Sequence, residues 1–435
     1  MRKNKQEKGS LRMYDVIIVG GGASGLAAAI ELGLESYDFN IAIIEKNEEP
    51  GRKIKATGNG RCNITNINAE GYNEIMAFFA GIGIVTRELD NGWVYPYSES
   101  AADVTVLLES RARELGIEII TGAEVVSVEK TKENTFEVKY SFKEGKSVYM
   151  DKVISNKLVL ATGGKAGPTL GTTGDGYNMA KDLWHSIVTP VPVLTSIECL
   201  EWQSESVPDA RILAGTRTRG NISLFKDKTG KFNENSKMFE EAGEIQFTKY
   251  GLSGICVFNM TRFMRYNKML GETLGQFLIK ADLFPDSNIE NFLRERRKKA
   301  LKGERISNVL CTVLKSGVAE YVMKYAKQQN IEKYGKTFPV DRPVSTLTDA
   351  EIELLSETVH TLTFHPTGIR GWKEAQVTGG GVSLDEVHEK TCESRICKGL
   401  YIVGELLDRD YPCGGFNLSN AWLTGILAAK DITGN

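Results

Sequence analysis

Gly20, Gly22 and Gly25 stand as G-x-G-x-x-G between an apolar run and an alanine-rich stretch, and Glu45 follows at the end of the next apolar run. That pattern suits a dinucleotide. The first glycine makes the turn, the second admits a pyrophosphate, and the third lets a helix lie close on a strand. Ala23 and Ser24 then belong to a helix N-terminus whose free N–H groups and partial positive charge face the phosphates. A carboxylate at Glu45 can accept both hydroxyls of a ribose.

The elements needed to hold these groups are legible around them. Residues 14–19 read as a buried parallel strand, 24–34 as a helix packed on a sheet, and 40–45 as a second strand. Farther on, "SNKLVLATGG" at 155–164 is another buried strand, stopping at Ala161, Thr162 and Gly163. Near the other end, a strand at 400–403 runs into Gly404 and Glu405. A loop with Asp408 follows, then Gly414 and Gly415 open a helix from about Asn417, beside Phe416 and Leu418. Cofactor-facing segments at both ends of the chain imply a long ligand, and FAD fits that better than NAD. A second G-x-G-x-x-G unit for a nicotinamide domain is not seen, so NADH or NADPH is expected to enter the substrate's own cleft as a transient electron donor.

Between the first two blocks lies "GRKIKATGNGRCNITN", residues 51–66, too polar for a core strand. Arg52 and Lys53 are expected to neutralise pyrophosphate, and Lys46 before them is expected to face the cofactor. Gly60 and Cys62 bring the backbone to the ring system, and Arg61 and Asn63 are candidate catalytic donors to flavin or to a substrate carbonyl. Lys249 and Tyr250 are further candidate donors, and Val125 completes the expected cofactor-facing set. Nothing suggests covalent flavin attachment, since no histidine lies in the first flavin loops.

The order of "GNGRCNITN", "ATGG", "VTGGGV" and "GELLD…CGGFNLSNAW" after the glycine fingerprint resembles one family of two-dinucleotide-fold flavoproteins, over residues 14–432. It is the family of the 3-dehydro-bile acid Δ4,6-reductases and the aminoacetone-oxidase-type enzymes. The resemblance implies an α/β fold: a discontinuous Rossmann-like FAD domain (1–190 and 365–435), an inserted β-rich, barrel-like domain (191–255 and 338–364) and a helical insert (256–337). It further implies NAD(P)H-linked reduction of an activated C=C, an enone of a steroid-like or bile-acid-like substrate. The alternatives are an oxidase of a small amine or amino-ketone using O₂, and a non-catalytic flavin-binding or RNA-modification accessory protein. The chain departs from the family where Lys249 replaces a frequent His and Cys392 a usual Met, and a structural role is expected for Lys249.

Composition bounds the rest. The chain has 435 residues, 41% hydrophobic and 25% charged, so a soluble protein of two or three domains is expected. A net charge of −2 argues against a dedicated nucleic-acid binder, and "RERRKKALKG" reads as a solvated helix face. The seven cysteines read as ordinary thiols, and the four histidines lack metal-ligand spacing. His365 is expected to be a packed loop residue. Residues 174–186 read as a helix capped by Asp175. No apolar run of about 18 residues and no signal-peptide pattern point to the cytoplasm, with the first dozen residues a frayed tail before Met13.

Overall fold

The computed structural model describes residues 12–36, 38–89, 91–203, 206–229, 232–265, 272–335 and 341–434; the expected N-terminal tail lies outside them, Arg12 apart. Two compact units form, one from residues 1–192 with 376–435, the other from 193–375.

The first unit is built on β1 (Met13–Val19), whose "VIIV" is buried on both faces, the mark of a strand inside a parallel sheet. β1 pairs in parallel with β2 (Ile41–Ile44) on one side and with the end of the long strand Ser147–Leu160 on the other. Glu118–Ile120 extends the sheet beyond β2, and Leu400–Ile402 pairs in parallel with residues 158–160. The first half of Ser147–Leu160 instead pairs antiparallel with Phe136–Glu144, which pairs with Ala123–Lys130. One strand thereby joins a parallel ligand-binding sheet to an antiparallel flap.

Helix α1 (Ala23–Glu35) follows β1 through the glycine turn. A Cβ on Gly25 would stand 2.0 Å from the Gly20 carbonyl oxygen, so only glycine lets helix and turn approach this closely. The C-terminal helix Phe416–Thr433 packs on α1. A Cβ on Gly425 would stand 2.4 Å from the Ser24 oxygen and 3.0 Å from the Ala28 nitrogen.

The second unit has a seven-stranded antiparallel sheet in the order 362–364, 277–282, 217–226, 237–247, 251–253, 197–199, 366–369. Leu362–Phe364 and Pro366–Ile369 occupy opposite edges yet are separated in the chain by His365 alone. The sheet must therefore curl on itself. Four expectations change here. Pro366–Ile369, expected in the resumed FAD domain from 365 on, is an edge strand of this unit through its pairing with Ile197–Cys199. Phe277–Asp282 is a strand inside a stretch read as helical; its two strand neighbours override its weak local pattern. Asp349–His360 is a helix inside a stretch read as β-rich. Thr348 and Glu351 cap it reciprocally, a signal present in "TDAE" and missed. The helical stretch does not keep a core of its own either, because Val318, Tyr321 and Val322 pack in the same core as Ile222, Leu224 and Phe247. The first half of the basic run, Arg294 to Lys298, lies on the helix Ile289–Lys298, with Arg294 and Arg297 both paired to Asp349.

Gly425→Ala is expected to force α1 and the C-terminal helix apart and to cost about 1–3 kcal/mol, as overpacking does. Calorimetric melting should record a lower Tm than wild type; an unchanged Tm would show that the helices do not need this contact.

Candidate functional site

At the carboxyl edge of the parallel sheet, Gly20 N donates to Ile44 O (2.9 Å) and Gly21 N to Glu45 Oε2 (2.7 Å). Glu45 Oε1 accepts from Asn47 N (2.8 Å) and Asn47 Nδ2 (2.6 Å). The buried carboxylate, 6% exposed, thus has three donors. A carboxylate offers about four lone-pair sites, so capacity for a ligand hydroxyl remains. Glu45 O also accepts from Ala123 N (3.0 Å), which places Val125 two residues along the same strand, with its side chain buried.

Helix α1 begins at Gly22 with no side-chain cap and no acid in its first turn, and a Cβ on Gly22 would meet nothing within 4 Å. An uncapped thirteen-residue helix with space before its first N–H groups fits a pyrophosphate. The C-terminal helix is likewise uncapped at Gly415. Asn417 accepts from Tyr411 N (3.0 Å) and donates to Tyr411 O (2.8 Å), fixing the loop that leads into it, and Gly404 N donates to Thr424 Oγ1 (2.9 Å). Gly404 also faces Ser24 at the α1 N-terminus, and Gly20 abuts Ala161. The glycine turn, 161–163 and 404 are therefore brought together. Asp408 hangs from Val382 O through its N–H (2.9 Å), and Phe416 and Leu418 lie half-buried in the first turn of the last helix. Within this unit the residues fit a long dinucleotide.

The basic loop departs from expectation in its charges. Lys53, on α2 (Arg52–Lys55), is paired with Glu405 (2.6 Å). Lys46 is paired with Asp175 and donates to Thr173 Oγ1 (2.6 Å). Arg52 donates to Asn47 Oδ1 (2.8 Å) and Thr169 O (3.3 Å). Lys53 and Lys46 thus face carboxylates, whereas both partners of Arg52 are neutral. Asp175 is not a cap: Gly174 holds that position, and the Asp175 carboxylate serves Lys46.

Asn63 is not an available donor. Its amide, with oxygen and nitrogen assigned to satisfy their neighbours, donates to Thr65 O (2.9 Å) and Val94 O (3.2 Å) and accepts from Gly415 N (3.2 Å). It ties the basic segment to the glycines of the last helix. Cys62, beside it, is buried, and desolvation pushes its thiol up to about 12, so it stays protonated. Arg61 keeps an exposed guanidinium, 4.8 Å above the Tyr95 ring and 3.9 Å from Glu99, next to the turn that contains Gly60. Lys249 belongs to the second unit, exposed on the turn between Lys237–Phe247 and Gly251–Ser253, where Tyr250 lies under the Arg370 guanidinium.

Two histidine clusters were not read from the sequence. His365 is not a packed loop residue; its side chain is 53% exposed and its Nδ1 lies 2.7 Å from Glu201 Oε1, which raises its pKa. His185 is fully buried between Ser394 and Glu386. Ser394 Oγ accepts from Ile396 N (3.0 Å) and Cys397 N (2.7 Å), so its own proton goes to His185 Nε2 (2.9 Å). His185 Nδ1–H then donates to Glu386 Oε2 (3.1 Å). The arrangement requires neutral imidazole, and its two N–H donors leave Ser394 no lone pair for nucleophilic work. No sequence periodicity marks partners two hundred residues apart. Among the described residues, no group of three or more His, Cys, Asp or Glu side chains could hold a metal ion, and no helix is long and apolar enough to cross a membrane.

The sequence profile described as "HI0933-like protein Rossmann domain" matches residues 14–73 and 70–431. The chain belongs to the HI0933-like family. It is 31% identical over 439 residues to the 3-dehydro-bile acid delta(4,6)-reductase of Clostridium scindens, covering 96% of this chain and 98% of that protein. It is 26% identical over 442 residues to the ribosomal RNA dihydrouridine synthase of Escherichia coli (97% and 98%). The corresponding synthase of Haemophilus influenzae is 24% identical over 436 residues (96% and 98%). All three matches run over nearly the whole of this chain, residues 193–375 included.

Burial holds the His185 pKa below its ordinary 6.5, outweighing Glu386. The unfolded chain then binds the proton first as pH falls, so this site loses stability below about pH 6.5. Wild type is expected to lose Tm more steeply than His185→Gln between about pH 7 and 5. Parallel Tm-versus-pH curves for the two proteins would refute it.

Proposed function

We propose that this FAD-dependent oxidoreductase reduces a carbon–carbon double bond conjugated to a carbonyl in a small steroid-like or bile-acid-like substrate, with NADH or NADPH as electron donor. The observation that carries this reading is the end-to-end match, at 31% identity, to a reductase whose name specifies such double bonds. Bound FAD would supply the hydride chemistry that side chains lack. The chain's part is to hold and to polarise. The α1 N-terminus, from Gly22 to Gly25, would take the pyrophosphate, Glu45 a ribose hydroxyl, and the N-terminus of the last helix negative charge at the far end of the cofactor. Arg61 is the candidate donor to the substrate carbonyl, because its guanidinium is exposed where the amide of Asn63 is spoken for.

A second reading has an observation of its own. The two dihydrouridine synthases match over nearly their whole length, and a uracil ring also presents a double bond conjugated to a carbonyl. The net charge of −2 and the carboxylate partners of the basic helix weigh against RNA as substrate.

Anaerobic mixing of the purified yellow protein with NADH or NADPH is expected to bleach it, and a Δ4-3-ketone to restore the colour. Failure of both nucleotides would remove NAD(P)H as the donor, and peroxide formation with aminoacetone in air would replace the reductase by the oxidase. Dihydrouridine in ribosomal RNA incubated with the protein would favour the second reading. Arg61→Ala is expected to lower kcat/KM about 10²-fold if it stabilises the developing oxyanion. Glu45→Ala should weaken FAD binding by about ten- to a hundredfold, as loss of a charged hydrogen bond does; flavin fluorescence titration measures it, and unaltered affinity removes Glu45 from the site.

A further inference from the structure

Within the first unit, the carboxylate of Glu405 is where four distant segments meet. Its Oε2 lies 2.6 Å from Lys53 Nζ on α2. Its Oε1 accepts the N–H of Thr378 (2.9 Å), in the strand Val377–Val382. Thr378 Oγ1 accepts in turn from Lys165 N (2.7 Å) and Ala166 N (3.0 Å), in the loop after Ser147–Leu160. Gly164 is pressed into the junction, where a Cβ would stand 2.3 Å from Thr378 Oγ1 and 2.8 Å from Glu405 Oε1. Glu405 itself follows Gly404, which faces Ser24 at the start of α1. The junction therefore sits at the same sheet edge as the dinucleotide-binding groups.

The charges there cancel. The Lys53 and Glu405 side chains are 27% and 20% exposed, so water and salt screen them less than a surface pair. Removing either partner would leave an uncompensated charge beside the cofactor site. An unbalanced cation favours the electron-richer state of a nearby redox group, and an unbalanced anion disfavours it.

We propose that Lys53 and Glu405 act as a charge-balanced positioning pair: together with Thr378 they hold the cofactor-facing segments in register, and their mutual neutralisation sets the redox potential of bound FAD. The proposal rests on the FAD reading above and assigns Lys53 a carboxylate, not the pyrophosphate, as its partner. A purely structural bridge and a charge-balanced one differ in a measurable sign. If the bridge were structural only, Lys53→Met and Glu405→Gln would disturb the potential alike or leave it unmoved. With charge balance, the two shifts are opposite and cancel when combined.

Lys53→Met, Glu405→Gln and the double variant are each titrated with FAD by flavin fluorescence, and the midpoint potential of each loaded protein is recorded. The expected result is a lower potential for Lys53→Met, a higher one for Glu405→Gln and a return toward wild type in the double variant, with each single weakening FAD binding about tenfold. Lys53→Arg, which keeps the charge, should stay at the wild-type potential even if a neutral variant folds poorly. Shifts of one sign in both singles, no shift in either, or a Lys53→Arg shift as large as that of Lys53→Met would overturn the pair. Wild-type protein that binds no FAD would overturn the cofactor reading itself, a result distinct from any of these.

Discussion

The approach of α1 to the C-terminal helix, with Gly425 against the Ser24 carbonyl, is the contact on which the first unit depends. Both helices begin at glycine without a side-chain cap, and Gly404 reaches Ser24 near the start of α1. Were either helix displaced outward by one methyl group, the close approach of Gly404 to the start of α1 would loosen. The long interruption by the second unit is tolerated because the two halves of the first are held by parallel strand pairing as well as by these helices.

Local sequence carried the first unit well. An apolar run, a glycine turn and an alanine-rich helix leave few alternatives, and β1, α1 and β2 occur within a residue or two of where the pattern places them. The second unit was harder. "FLIKAD" forms a strand only because strands flank it on both sides, a fact no six-residue window contains. Asp349–His360 is legible through its capping box, although the residues after it alternate like strands.

In the candidate site, residue positions were easier to read than residue roles. The segments containing Gly20–Gly25, Ala161–Gly163 and Gly404 do come together. The partners of the charged side chains depend on long-range geometry. Lys53 meets a carboxylate contributed from residue 405, Lys46 one from residue 175, and His185 two partners beyond residue 385. Sequence shows that cations cluster near a glycine-rich loop; it does not show that two of them, Lys46 and Lys53, meet carboxylates from distant segments.

The curled sheet of the second unit ends in two very short strands, Leu362–Phe364 and Pro366–Ile369, with Pro366 opening the latter. Three and four residues offer another chain almost no backbone ladder to extend, and proline removes a donor from one of them. By turning both of its margins into neighbours across His365, this sheet is guarded against the edge-to-edge aggregation to which flat antiparallel sheets are prone.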